Sequence, residues 1–96
     1  MILNERQEKI YQAALDCQGI EREAMQALEE MAELTKEILK NVIRKKDNRE
    51  CILEELSDVY VTLEQVKRMY GFTDEDIQKI ADKKIDMLGK RLGCES

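Results

Sequence analysis

Hydrophobic residues recur along the chain at intervals of three and four positions, which places them on one side of an α-helix. Two such stretches, separated by Gly19, predict a first helix over about residues 3–17 and a second over about residues 20–45. Gly19 suits a helix end or a bend, because glycine adopts backbone conformations that other residues avoid. The apolar stripe of the second helix consists of Ala24, Leu28, Met31, Thr35, Ile38 and Val42.

Two further helices follow, and residues suited to capping mark their ends. Asp47, with Glu50 three positions later, predicts the N-cap of a third helix that ends at Gly71. Thr73 and the acidic turn after it predict a fourth helix, which Gly93 ends. The apolar stripe of the third helix consists of Ile52, Leu56, Val59, Leu63, Val66 and Tyr70. Short links predict antiparallel neighbours, so we expect an all-α protomer resembling an antiparallel four-helix bundle.

The composition agrees with long helices. The chain has no proline, tryptophan or histidine and only four glycines, and 39% of its residues are charged. Its 96 residues predict a single helical domain over residues 1–96. A chain of this size buries only about 60–65% of its unfolded surface, so we expect oligomerisation to complete the core.

Charge and cysteine content limit the partners. A net charge of −5 argues against a nucleic-acid partner, because binding a phosphate backbone requires a basic surface. Neither a signal-peptide pattern nor an apolar run of membrane-spanning length is found, so we expect no membrane partner and a cytoplasmic location. Cys17, Cys51 and Cys94 are widely spaced, which predicts reduced thiols rather than disulfides or a zinc site.

Carboxylates interrupt the apolar stripe of the third predicted helix. At about 100° per residue, Glu55 lies about 60° from the centre of the stripe and Asp58 about 120° from it. Glu54 points to the far side, where a solvated glutamate is expected. Glu55 is therefore predicted to be at least partly buried, which is costly for a carboxylate that has no partner.

The second predicted helix carries a similar group of acids. Glu30 lies about 120° from the centre of its stripe, and Glu33 is nearer the opposite face. Glu33 can pair with Lys36 one turn along, as on any solvated helix surface. Glu29 and Glu30 have no basic residue three or four positions away, so local ion pairs do not account for them.

Two acidic pairs on neighbouring antiparallel helices could surround one space. Such close like charges repel one another and are costly to desolvate. A hard divalent cation removes both problems, because Mg²⁺ and Mn²⁺ prefer oxygen ligands. A di-iron site is excluded, because its Glu-x-x-His signature needs histidine. From the pattern alone, a metal site and ordinary solvated acids both remain open.

The segments "EEMAEL" (residues 29–34) and "EELSDVYVTL" (residues 54–63) resemble the EExxE…ExxD signature of the MazG-like nucleoside triphosphate pyrophosphohydrolases. The similarity extends from Gly19 through the last predicted helix. It implies a Mg²⁺-dependent enzyme, with Mn²⁺ as an alternative metal. Such an enzyme cleaves a ribo- or deoxyribonucleoside triphosphate between its α and β phosphates, giving a nucleoside monophosphate and pyrophosphate. The resemblance also implies a homodimer or homotetramer.

The resemblance assigns roles to individual residues. The metal ligands would be Glu30 and Glu33 from the first motif, with Glu55 and Asp58 from the second. Glu29, beside these ligands, is our candidate for the catalytic group that accepts a proton from water, or for an outer-shell partner.

On the last predicted helix, Lys84 matches a lysine that relatives place near the phosphates. Asp82 stands where the asparagine of this phosphate site is expected, so it is our second candidate phosphate-binding residue, with a place in the metal shell and neither role as the open alternatives. Gln18 replaces an aromatic residue common in relatives, which indicates a different base pocket. A second hypothesis remains: a non-catalytic helical interaction module that retains the acidic motif as structural ion pairs.

Overall fold

The computed structural model describes residues 1–94, and within them the chain forms three α-helices and no strand. These are α1 (Glu5–Val42), α2 (Arg49–Tyr70) and α3 (Asp74–Arg91). The predicted all-α class is therefore confirmed. None of the helices described combines the length and the apolar character that crossing a lipid bilayer requires.

The predicted division at Gly19 appears as a break inside α1. Gly19 has φ 81° and ψ 165°, outside the helical range, and the helix continues on both sides of it. A straight helix of 38 residues would be about 57 Å long, whereas the longest dimension of the chain is 44 Å. The two helical stretches predicted on either side of Gly19 are therefore present as the two arms of one bent helix. Residues 1–94 form three helices rather than four, and a four-helix bundle is not shown.

A side-chain cap fixes the start of α3, and no such cap is found at the start of α2. Thr73 accepts a hydrogen bond from the Asp76 backbone, and the Asp76 carboxylate accepts one from the Thr73 backbone. The predicted N-cap of the last helix is therefore confirmed. The predicted cap of α2 was wrong, because Asn48 rather than Asp47 is its N-cap residue. The Asn48 side chain makes no cap bond and instead donates to Glu37 of α1.

α1 and α2 form an antiparallel pair, as their side-chain contacts establish. Glu37 contacts Asn48 near the connecting loop, and Glu23 contacts Gln65 at positions farther from the loop in both helices. Beyond the bend, the first part of α1 also packs on α2, where the Tyr11 hydroxyl donates to the Val61 carbonyl at 3.0 Å. α2 is therefore held by both arms of the bent helix.

The interior of this pair is small and largely polar. Ala27 is the one hydrophobic residue among residues 1–94 that is buried, whereas Glu23, Thr62, Glu64 and Gln65 are buried polar residues. Glu64 is neutralised by Lys67 at 2.7 Å and Arg68 at 2.8 Å. Arg68 also pairs with Glu8 and lies over the ring of Tyr11. Hydrogen bonds and ion pairs therefore supply much of the contact between the two helices.

α3 does not join the bundle. The Lys67–Asp74 ion pair, at 2.7 Å, fixes its first residue, but within the described chain α3 packs against neither α1 nor α2 and has no buried residue. The predicted antiparallel packing of the last helix on its neighbour is therefore not found. Its apolar residues are left exposed.

Replacing Gln65 with alanine should destabilise the chain by about 2–4 kcal/mol, because it removes the hydrogen bond to the buried Glu23 carboxylate and leaves a cavity. Urea denaturation measures the effect. Gln12→Ala is the matched control, since Gln12 makes the same kind of bond to Asp16 on an exposed surface. Equal losses in the two variants would contradict the assigned role of Gln65.

Candidate metal centre

Three glutamates two helical turns apart line the side of α1 that faces α2. Glu23, Glu30 and Glu37 are separated by seven residues each, so they lie on one face of the helix. α2 places a different group opposite each of them. The partner of Glu23 is the Gln65 amide at 2.6 Å, and the partner of Glu37 is the Asn48 amide at 2.7 Å. An amide N–H therefore satisfies each outer carboxylate.

The central glutamate meets acids instead. Carboxylate oxygens of Glu30, Glu55 and Asp58 all lie within 4.8 Å of one another, which makes these three residues a possible cation site. Glu30 and Glu55 are half-buried, as predicted for Glu55, and Asp58 is exposed. We call these three residues the acidic triad.

Burial and repulsion by neighbouring carboxylates disfavour the charged forms of Glu30 and Glu55. The pKa of Glu30 is raised by desolvation first, then by the charges of Asp58 and Glu55 and a hydrogen bond with Asp58. The pKa of Glu55 is raised by desolvation first, and then by the charges of Asp58 and Glu33. By contrast, the Asn48 hydrogen bond and then Lys40 lower the pKa of Glu37. The folded chain therefore holds protons on Glu30 and Glu55 more tightly than on an ordinary glutamate.

Protein cations do not relieve this repulsion. Among residues 1–94, none of the triad and neither Glu33 nor Glu29 forms an ion pair with lysine or arginine. All the donor atoms are oxygens, the type that Mg²⁺ prefers, and oxygens on opposite sides of an octahedral Mg²⁺ lie about 4.2 Å apart. The spacing and chemistry of the triad thus fit a hard divalent cation.

The other predicted residues of the acidic motifs lie around the triad. Glu33 is exposed one turn along α1 and outside the triad, but its charge contributes to the raised pKa of both Glu30 and Glu55. Glu29 is exposed on α1, and Glu54 is exposed on α2. The structure therefore brings together three of the four predicted metal ligands, with the fourth near enough to act on their charge.

The two predicted phosphate-binding residues are not at this place. Lys84 and Asp82 are on α3, which packs on neither helix that carries the acids. They also face different ways, because residues two apart lie about 160° apart around a helix. Lys84 lines a groove with Phe72, Ile77 and Ile80, whereas Asp82 accepts a hydrogen bond from Gln78 at 2.7 Å.

The sequence reasoning missed the amide partners and the outer glutamates. A seven-residue repeat of glutamate on α1 was visible in the sequence and could have indicated a common face for Glu23, Glu30 and Glu37. No comparable signal marks Asn48 or Gln65, because glutamine and asparagine on a helix are ordinarily solvated. Their importance comes from where α2 packs.

The metal-free protein should become more stable as the pH falls from neutral to about 5.5. Glu30 and Glu55 have pKa values above 4.5 in the folded chain, so the folded state binds protons more tightly than the unfolded state over this range. The pKa values of Glu37 and Asp74 are lowered, so protonation of these two groups destabilises the folded chain, but only at more acidic pH. Urea midpoints at several pH values, in the presence of a chelator, measure the slope.

Two variants on α2 test the origin of this slope. Glu55→Gln should flatten it, because it removes one titrating group of the triad, and Glu54→Gln, on the exposed side, should reduce it much less, because the charge of Glu54 is one of the smaller contributions to the raised pKa of Glu55. A slope of the same size in Glu55→Gln as in the wild type would show that Glu55 is not one of its sources.

Comparison of the chain with protein-family models, with curated proteins and with solved structures found no match.

Proposed function

We propose that the protein is a Mg²⁺-dependent nucleotide pyrophosphohydrolase that cleaves a ribo- or deoxyribonucleoside triphosphate to a monophosphate and pyrophosphate. One observation carries the proposal. The α2 side supplies an amide N–H to each outer glutamate of α1, whereas the central glutamate faces two further carboxylates and, among residues 1–94, no cation. That arrangement fits a bound divalent ion better than a structural role, because amide donors would satisfy Glu30 at lower cost.

Each residue then has a definite task. Glu30, Glu55 and Asp58 would hold the metal, with Glu33 completing the set from the next turn of α1. Bound Mg²⁺ supplies charge neutralisation for the phosphates and acidifies a water molecule. Glu29, beside these ligands, would accept the proton of the attacking water, directly or through the outer shell. Lys84 would screen the phosphate charge.

Association of copies is part of the same proposal. A compact monomer of 11.2 kDa exposes about 5,700 Å², whereas this chain exposes 7943 Å². The excess from two chains, about 4,500 Å², lies within the range of 2,000–5,000 Å² that obligate homodimers bury. A dimer or tetramer would complete a bundle that one chain leaves open.

An interaction module without catalysis is the second candidate. The exposed apolar side of α3 favours it, because a helix whose apolar residues have no intramolecular cover is typical of protein–protein contact. The two functions differ in whether the acidic triad has any chemistry.

Wild-type protein with Mg²⁺ should release pyrophosphate from at least one member of a panel of ribo- and deoxyribonucleoside triphosphates. Glu55→Gln should lose at least about a hundredfold in rate, because it removes a metal ligand and with it the charge that holds the cation. Glu54→Gln, one residue away and exposed, should retain wild-type turnover. Absence of pyrophosphate release across the whole panel would favour the interaction module.

Mg²⁺ should also stabilise the metal-free protein, by about 2.7 kcal/mol at a concentration one hundred times the dissociation constant. The physical reason is that the ion binds the folded triad and removes its internal repulsion. Thermal melting with and without Mg²⁺ measures the shift, and Glu30→Gln should reduce it. Equal melting temperatures across the titration would remove the metal site from the proposal.

A further inference from the structure

A lysine lies in the middle of the apolar side of α3. Ile77, Ile80, Ala81 and Leu88 all fall within about 60° of Lys84 around the helix axis. Ile77, Ile80 and Ala81 line, with Lys84, a groove of about 650 Å³, at the other end of which the Asp76 carboxylate accepts a hydrogen bond from the Thr73 backbone. Any surface that covers these apolar residues therefore also covers the Lys84 ammonium, which is costly unless a negative charge faces it.

The chain itself does not supply that cover. α3 packs on neither α1 nor α2 among the described residues, and the surface exposed by one chain is well above that of a compact monomer. A second copy of the chain is the occupant that accounts for both facts, because it brings a matching apolar surface of its own.

That matching surface lies on α2, beside the acidic triad. Leu56, Val59, Tyr60 and Leu63 line an apolar groove of about 330 Å³. Leu56, Tyr60 and Leu63 are about half-exposed. Val59 lies about 40° around the helix from Glu55, and Leu63, Leu56 and Tyr60 lie about 80° to 140° from it on the same side. Asp58 lies about 60° from Glu55 on the other side, so a helix seated in this groove is next to the Glu55 side of the triad.

The charges of the two surfaces are complementary. The α2 groove adjoins carboxylates that have no cationic partner among residues 1–94, and the apolar side of α3 carries one central cation. Lys67 and Arg68 of α2 do not neutralise these carboxylates, because both form ion pairs with Glu64. Apolar fit and charge thus select the same pair of surfaces.

We propose that α3 of a second copy packs along the Leu56–Leu63 groove of α2 and places Lys84 beside the acidic triad in trans. Each complete site then draws its carboxylates from one chain and its lysine from another. The inference rests on the proposed function only in assigning Lys84 to the phosphates of a nucleotide. The packing of α3 on the second copy stands on the apolar and charged surfaces alone.

Cross-linking tests the packing without reference to activity. Equal amounts of unlabelled and ¹⁵N-labelled chains are mixed, allowed to exchange, freed of metal and treated with a carbodiimide, which condenses an amine with a carboxylate in direct contact. Mass spectrometry should find mixed-isotope links from Lys84 to the peptide that contains Glu55 and Asp58. Lys79 is the matched control, because it is equally exposed and lies about 140° around α3 from Lys84.

The expected yield of mixed-isotope links from Lys84 is at least about ten times that from Lys79, since only one of the two faces the groove. Links from Lys84 confined to a single isotope, or equal yields from the two lysines, would overturn the proposal.

Complementation tests the shared site. Glu55→Gln and Lys84→Ala chains are co-expressed with different tags, and hybrids are purified through both tags. Each alone should be inactive, and the hybrid should regain about half of the wild-type rate, because half of its sites receive intact carboxylates from one chain and Lys84 from the other. A lysine acting within its own chain would leave every site of the hybrid defective.

The two arms separate failure of the inference from failure of the function. Wild-type protein that releases no pyrophosphate sinks the proposed function, while the cross-links still decide how α3 packs. Active wild-type protein with an inactive hybrid sinks the inference and leaves the function standing.

Discussion

A carboxylate placed between two packed helices must find a hydrogen-bond donor or a cation, because an apolar neighbour cannot compensate the hydration that it loses there. Three levels of the α1–α2 pair face this constraint. At the levels of Glu23 and Glu37, an amide side chain of α2 provides the donor. At the level of Glu30, α2 provides two more acids. Glu23 and Glu37, which have amide donors, are therefore structural, whereas Glu30, which faces carboxylates, is a candidate functional residue.

The helical parts of the fold were predictable because each depends on local patterns. Apolar spacing gave the helices, the Thr73–Asp76 cap was visible as a residue pair, and Gly19 marked the bend. Glu55 was expected to be half-buried from its angle to the apolar stripe, and it is. Each of these features depends on residues within one or two turns of each other, where sequence spacing translates directly into position.

Features that depend on distant residues were missed. Asn48 is the N-cap residue of α2, and its side chain donates a hydrogen bond to Glu37, eleven residues earlier. The sequence around Asp47 gives no sign of this contact. The separation of α3 from its neighbours was missed for a related reason. A short link permits antiparallel packing without requiring it, and the apolar stripe of α3 does not show which surface covers it. The sequence predicted that four carboxylates would converge, but only three do. Glu33 is exposed outside the group because of how α1 is rotated against α2, which the sequence does not show.

Lys67 and Arg68 form ion pairs with Glu64, and this affects how an anionic molecule approaches the chain. With these two cations neutralised, the carboxylates at the centre of the pair dominate the local field, and the chain as a whole carries a charge of −5. Such a field speeds the arrival of divalent ions and slows that of a free triphosphate. A nucleotide would therefore encounter this surface most rapidly as its magnesium complex, whose lower negative charge reduces the electrostatic barrier to diffusion.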